Sequence, residues 1–185
     1  NLKPQTFIID PWTSSPTFAP MNKAYDVNYD FAGNVYALGS SGTYQLAKFN
    51  SGGVLQWVYN AVTTSTFGYY GEFAVDGQTG TSYIGEAFNP APGPGAKIEK
   101  VNTLAVQTAV FPGNPQMVEI SRMDYNYCNG TIICGGGGIS FPSNQAFIMD
   151  TNLVNITPVQ VVSPDPPIDV ALLSTEKYSG FGYML

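Results

Sequence analysis

A repeated pattern of short apolar segments is the feature that most restricts how this chain can fold. Three segments share a turn, then a hydrophobic stretch, then a glycine. They are AGNVYALGSS (32–41), TGTSYIGEAF (79–88) and NGTIICGGGG (129–138). Their glycines, Gly39, Gly85 and Gly135, are 46 and 50 residues apart. Self-similarity at a period of this length indicates a structural unit that is repeated along the chain.

Each repeated unit holds further apolar segments, and the pattern predicts four short strands per unit. A third segment ends at Asn50, Asn102 or Asp150, and a turn and another apolar stretch follow it. Four strands in about 46 to 50 residues are typical of one β-propeller blade. We therefore expect an all-β propeller segment with three whole blades and two half blades. The expected bounds are 1–20 (half), 24–60, 71–111, 117–162 and 168–185 (half).

Composition favours many short strands and excludes two classes of partner. The chain has 20 Gly, 14 Pro, 12 Tyr and 11 Phe, as strands separated by turns require. Seven basic and 13 acidic residues give a net charge of −6, and no cluster of Lys or Arg occurs. Nucleic acid and anionic membrane are therefore poor partners, since both need a basic surface. No apolar run approaches the roughly 18 to 20 residues that span a bilayer, so we expect no membrane insertion.

The stretch GNVYALGSSGTYQLAKFNSGGVLQW (33–57) carries a resemblance to a known group of repeats. It resembles the propeller repeats of secreted bacterial proteins, whose usual form is close to GNVYVTG...AKFDPSGNLLW. The second and third units match more loosely and lack the tryptophan. Such repeats are common in cell-surface and type IX secreted proteins of gliding bacteria. The resemblance implies a blade and an extracellular or cell-surface location, and it implies no particular activity.

The two cysteines are predicted to be free and to bind no metal. A two-residue hairpin at Asn129 and Gly130 would point Cys128 and Cys134 to opposite faces of the sheet. Their Cα atoms would then lie farther apart than the roughly 7 Å that a disulfide can span. Zinc needs about four ligands, and the chain has no histidine. The glycines at 135–138 precede no helix, so they predict no phosphate loop and no cofactor.

Nothing in the sequence predicts a catalytic pair. The absence of histidine removes the commonest general base. Asp30, Asp76 and Asp124 fall at or near the ends of first strands, where we expect them to cap turns. The stretch DGQTG (76–80) lacks the spaced carboxylates of a calcium loop. We therefore predict that the chain is not an enzyme.

One end of the predicted blades carries the longest and most aromatic loops. They are AVTTSTFGYYG (61–71), EAFNPAPGPGA (86–96) and GGGISFPSN (136–144). Their rings could form a platform for a glycan or an extended peptide, or they could seal the seams between blades. The candidate ligand-binding residues are Phe67, Tyr69, Tyr70, Phe88 and Phe141.

The sequence therefore predicts a binding or display module of a secreted or surface-displayed protein, within a larger chain or surface assembly. Its ligand would be a protein or a glycan. Two alternatives remain open. An extracellular propeller enzyme acting on polysaccharide would need two carboxylates that converge with Tyr or Lys on one face. A purely structural spacer would need no ligand at all.

Overall fold

The protein is all-β in the part that the structure describes. A computed structural model describes residues 12–19, 22–40, 43–64, 71–86, 95–115, 117, 120, 122–135, 146–159, 171–173 and 182–184. Sheet I consists of Ala24–Tyr29 (β1), Val35–Gly39 (β2), Thr43–Phe49 (β3) and Leu55–Thr64 (β4). Sheet II consists of Glu72–Val75 (β5), Ser82–Gly85 (β6), Ile98–Val101 (β7) and Gln107–Phe111 (β8). Sheet III consists of Arg122–Asn126 (β9), Thr131–Gly135 (β10), Ala146–Asp150 (β11) and Ile156–Val159 (β12).

Each of these sheets is an antiparallel meander, in which every strand pairs with the next one in the chain. Ala171–Leu173 (β13) and Gly182–Met184 (β14) form a separate antiparallel hairpin within the 168–185 segment. The predicted all-β class with four-stranded antiparallel units is confirmed. The radial arrangement of a propeller stays a prediction. For the half blade expected at 1–20, residues 12–19 form no strand and residues 1–11 lie outside the described part of the chain.

The three sheets pack face to face in chain order. Alternate residues of a strand point to opposite faces of its sheet. In sheet II, Phe73, Val75 and Ile84 join a buried cluster with sheet I. Ala74 and Tyr83, on the opposite face, join a second cluster with sheet III. Sheet II is therefore buried on both faces, and each face belongs to a core that it shares with a neighbouring sheet.

The first strand of each unit lies at one side of this stack. β1 neighbours β5, β5 neighbours β9, and β9 neighbours β13. We call these four the inner strands. Their adjacency brings equivalent positions of successive units side by side.

The face of sheet I that points away from sheet II is covered in part by residues 12–19. Phe18 is buried there with Ala47 and Phe49, and the rings of Trp12 and Phe49 lie 5.9 Å apart between centroids. This cluster lies over β2, β3 and β4. The N-terminal segment thus covers the outer part of the face without forming a strand.

Side-chain hydrogen bonds from sheets I and II reach the same turn of the next sheet. Trp57 Nε1 donates to the carbonyl of Thr103 at 3.0 Å, and Tyr83 Oη donates to the carbonyl of Thr151 at 3.4 Å. Thr103 and Thr151 lie 48 residues apart, and each is the second residue of the turn between the third and fourth strands of its sheet. The two acceptor turns are therefore equivalent, but the donors are not, since Trp57 lies on the fourth strand of sheet I and Tyr83 on the second strand of sheet II.

The turn between third and fourth strands has one construction in all three sheets. Its first residue, Asn or Asp, accepts hydrogen bonds on Oδ1 from the amides two and four residues later, at 2.9–3.0 Å. Its carbonyl accepts a bond from the amide three residues later, where φ is 60° to 78°. The residue pairs are Asn50 with Gly53, Asn102 with Ala105, and Asp150 with Leu153. The predicted third-strand ends are thus confirmed, with the Asx side chain as the local cause.

The turn between first and second strands also begins with an Asx residue, but the prediction for the third unit was wrong. Asp30 accepts from the amide of Asn34, and Asp76 accepts from the amide of Gln78. The third turn uses Asn126, whose Oδ1 accepts from the amide of Cys128 at 3.0 Å. Asp124 lies inside β9 instead, because the strand continues for two residues beyond it.

The predicted two-residue hairpin at Asn129 and Gly130 was also wrong. Asn126 pairs with Thr131, which leaves a four-residue loop. The amide of Gly130 donates to the carbonyl of Asn126 at 2.9 Å, and Gly130 alone in this loop has a positive φ, of 62°. Cys134 therefore pairs with Met123 rather than Tyr125. Both cysteines are free, Cys128 exposed in the loop and Cys134 buried.

The glycine alignment is shifted by one residue in the first unit. β-Pairing matches Asp26 with Leu38, Glu72 with Gly85, and Arg122 with Gly135. Leu38 and not Gly39 is therefore the equivalent of the two later glycines. The reason is one extra residue in β2: Gly39 comes four positions after Val35, which pairs with Tyr29, whereas Gly85 comes three positions after Ser82, which pairs with Val75. A shift of one residue reverses which face every side chain occupies.

Exchanging glycine and alanine at the fourth position of the outer turns tests this construction. Ala105 has φ 60°, so Ala105→Gly should raise the free energy of unfolding by about 0.5–1 kcal/mol. Gly53→Ala should lower it by about 1–3 kcal/mol, because φ is 78° and a Cβ would lie 2.6 Å from the Trp12 ring. Urea denaturation of both variants measures this. Equal destabilisation by both would contradict a shared left-handed turn.

Candidate functional site

The five aromatic residues predicted to bind a ligand lie outside the described residues. They are Phe67, Tyr69, Tyr70, Phe88 and Phe141. Their segments connect β4 to β5, β6 to β7, and β10 to β11. All three connections join strands at the end of the sheets where β5 and β9 begin. The aromatic platform stays a prediction.

At this same end the described residues form an open recess of about 470 Å³ between the inner strands. Its volume falls within the range of small-molecule sites. We call it the inner-strand recess. Its lining residues are Lys23, Ala24, Tyr25, Gly71, Glu72 and Arg122.

Glu72 and Arg122 line the recess, and a third charged residue, Asp26, occupies the equivalent position in the first unit and interacts electrostatically with Arg122. Asp26 pairs with Leu38, Glu72 with Gly85 and Arg122 with Gly135, which are equivalent positions of the three second strands. Adjacent inner strands bring these positions together. Arg122 Nη1 donates to Glu72 Oε1 at 2.6 Å. The pair is half exposed on the Arg122 side and mostly buried on the Glu72 side, and it determines the local charge of the recess.

Burial raises the pKa of Asp26 above its ordinary value of 3.8. The amide of Val27, the Arg122 guanidinium and the amide of Phe73 offset part of that effect by favouring the carboxylate. The Val27 amide donates to Asp26 Oδ1 at 2.8 Å. Asp26 therefore holds a proton to a higher pH than an exposed aspartate does, next to a carboxylate that is paired with arginine.

Gly71 is a packing requirement of this site. A Cβ at position 71 would lie 2.8 Å from the Tyr44 ring and 2.8 Å from the carbonyl oxygen of Gly85. No side chain therefore fits between the start of β5 and these neighbours. The small residue also leaves the recess open beside Glu72.

The other described carboxylates are engaged in the framework. Glu99 is fully buried between sheets I and II and accepts hydrogen bonds from Tyr59 Oη, the Thr63 amide and Gln107 Nε2, at 2.6–3.0 Å. Glu86 is buried and accepts from the Lys97 amide at 3.2 Å. Asp30, Asp76 and Asp150 hold turns. The recess is thus the place where described acidic and basic groups meet a cavity.

Neither cysteine belongs to a cluster with metal-ligand character. Burial raises the pKa of the Cys134 thiol to about 12, and its Sγ lies 3.6 Å from the Met117 sulfur. Within the described ranges, no group of three or more His, Cys, Asp and Glu residues is arranged to hold a metal ion.

Sequence reasoning missed the charged residues of the recess. The chain has only 20 acidic and basic residues, and Asp26, Glu72 and Arg122 stand on apolar inner strands. Aligning the units by their strand pairing, with the extra residue in β2 allowed for, places the three in one column. That column was the signal available in the sequence.

Comparison with known proteins finds no matching family model and no significantly similar curated protein. No helix that is long and apolar enough to cross a bilayer occurs in the described part of the chain.

Replacing Arg122 tests the electrostatics of the recess. Arg122→Gln should raise the pKa of Asp26 further, because the guanidinium favours the carboxylate. Arg122→Lys keeps the charge and should move this pKa less. The measurement is a pH titration of the Asp26 carboxyl carbon by NMR. Ionised Asp26 is less favourable in the folded than in the unfolded chain, so its contribution to stability falls as pH rises from 3.8 through the raised pKa. An unchanged titration in Arg122→Gln would contradict the arrangement.

Proposed function

We propose that this chain is a β-propeller segment that serves as a non-enzymatic binding or display module of a secreted or cell-surface protein. The support for the propeller is the way the units repeat. Successive four-stranded meanders stack face to face, and their first strands lie in a row. Side-chain hydrogen bonds from sheets I and II reach the same turn of the next sheet, at Thr103 and Thr151. Radial repetition of such sheets protects their edges and leaves the loops free to vary.

The observation that carries the binding role is the inner-strand recess. Tyr25 of the first unit, Glu72 of the second and Arg122 of the third line one cavity, at the end where the aromatic connections of 65–70, 87–94 and 136–145 join the strands. A cavity lined by two cations, a tyrosine and one mostly buried acid suits a polar ligand such as a glycan or a peptide. The sparse charge and the resemblance to secreted bacterial repeats support an extracellular role within a larger surface assembly.

One observation favours the second candidate, an extracellular enzyme that acts on polysaccharide. Glycoside hydrolysis uses two carboxyl groups, one of which keeps a proton near neutral pH. Asp26 has a raised pKa, and Arg122 interacts both with it and with a second acid, Glu72. Tyr25 and Lys23 line the recess together with Glu72. We rank this candidate second, because Arg122 engages Glu72 and its guanidinium favours the carboxylate form of Asp26.

Two assays on a panel of neutral and acidic polysaccharides separate these functions. One measures binding of each polysaccharide to the protein, and the other measures release of reducing ends from it. For a binding module, Tyr69→Ala or Tyr70→Ala should weaken capture about tenfold, by loss of ring stacking, without a change in the melting temperature. Arg122→Gln should weaken capture of acidic polysaccharides selectively. Val106→Ala, an exposed change distant in sequence from these loops, is the control.

An enzyme would release reducing ends, and Asp26→Asn and Glu72→Gln would each abolish this activity while binding persisted. A spacer would bind nothing in the panel, and none of these variants would alter any measurement.

A further inference from the structure

The face of β1 that points away from sheet II carries two exposed apolar side chains. Val27 is 61% exposed and Tyr29 is 56% exposed. Val27 pairs with Ala37, which belongs to the cluster formed with Phe18. The exposed pair therefore lies on the same face that residues 12–19 cover further out, over the other strands of sheet I.

Equivalent positions in the next two sheets are buried. The strand register aligns Val27 with Phe73 and Met123, and it aligns Tyr29 with Val75 and Tyr125. These four equivalents are 7% exposed or less. The exposure of Val27 and Tyr29 is thus a departure from the rule that the other two units follow.

The second strand of the preceding unit covers each of the buried equivalents. Tyr36 and Leu38 of β2 share one cluster with Phe73 and Val75. One sheet further, the Tyr83 ring stacks on Tyr125 with centroids 6.0 Å apart. The internal comparison therefore identifies what fits on Val27 and Tyr29, which is the second strand of another unit, paired with its own first strand.

This chain contains such a strand pair in the terminal hairpin β13–β14. β13 packs beside β9, at the opposite end of the row of inner strands from β1. The sequence Tyr183-Met184-Leu185 has the same form as Tyr36-Ala37-Leu38 of β2. Leu172 pairs with Tyr183 as Asn28 pairs with Tyr36, so the hairpin has the pattern of a first and second strand.

We propose that two copies of this chain associate head to tail, with β13–β14 of one copy covering Val27 and Tyr29 of the other. Residues 12–19 of the receiving copy already cover the outer part of the face, and the hairpin covers the inner part. The two surfaces differ, so the contact is heterologous and can continue into a ring. This inference rests on the packing of the sheets and does not depend on the ligand role of the recess.

Sedimentation velocity over a wide range of concentration tests the association directly. The unmodified chain should associate as concentration rises. Val27→Asp should weaken association at least about tenfold, because it places a charge in an apolar contact. Val106→Asp, at a valine with 52% exposure in the turn that precedes β8, should associate like the unmodified chain. Circular dichroism confirms that each variant is folded. A chain that stays monomeric at every concentration would overturn the proposal.

Disulfide trapping gives a second test that does not rely on Val27→Asp. Cys128→Ser and Cys134→Ala first remove the native thiols, and Tyr29→Cys and Tyr183→Cys are then made in separate chains. Mixing the two chains under mild oxidation should give a covalent heterodimer. A chain that carries both substitutions and closes on itself as a monomer, without forming the heterodimer, would overturn the head-to-tail contact in favour of closure within one chain.

Discussion

Each four-stranded sheet of this protein is apolar on both faces, and this constraint governs the rest of the structure. All four residues of β6 are buried, although neighbouring residues of a strand point in opposite directions. A single sheet of this kind would expose both apolar faces to water, and one neighbouring sheet covers only one of them. Stacking in chain order satisfies the constraint, and the stability of each sheet becomes inseparable from that of its neighbours.

Turn chemistry supplies the second condition, a common register. The Asx residues at the start of the turns fix where each strand ends, so equivalent side chains in successive sheets meet the same surroundings. Polar exceptions then have identifiable positions. Glu99 occupies the place of Ala47 in sheet I and Phe147 in sheet III, and three donors accommodate its buried carboxylate. Glu72 and Arg122 line the recess, and Asp26 lies at the equivalent position of the first unit, because the same register aligns them.

The repeat, the four-strand units and the outer turns could be predicted from the sequence because each depends on local pattern. Asn50, Asn102 and Asp150 begin their turns through bonds to residues no more than five positions away. Features that depend on pairing between strands were harder. The extra residue in β2 makes Leu38, and not Gly39, the first unit's equivalent of the later glycines. The Asn126 side chain selects a longer turn than the Asn-Gly dipeptide indicated. The charged recess requires adjacency of β1, β5 and β9, which no local pattern contains, and the five predicted aromatic residues lie outside the described part.

Native-state hydrogen exchange on an Ile84→Ala variant tests the central claim most directly. Ile84 belongs to sheet II but packs in the cluster shared with sheet I. Removing its side chain should lower the free energy of opening by about 2–4 kcal/mol at protected amides of both sheets, including Leu38 and Leu46 in sheet I. Loss of protection confined to sheet II would show that each sheet is stable by itself, and it would contradict this account.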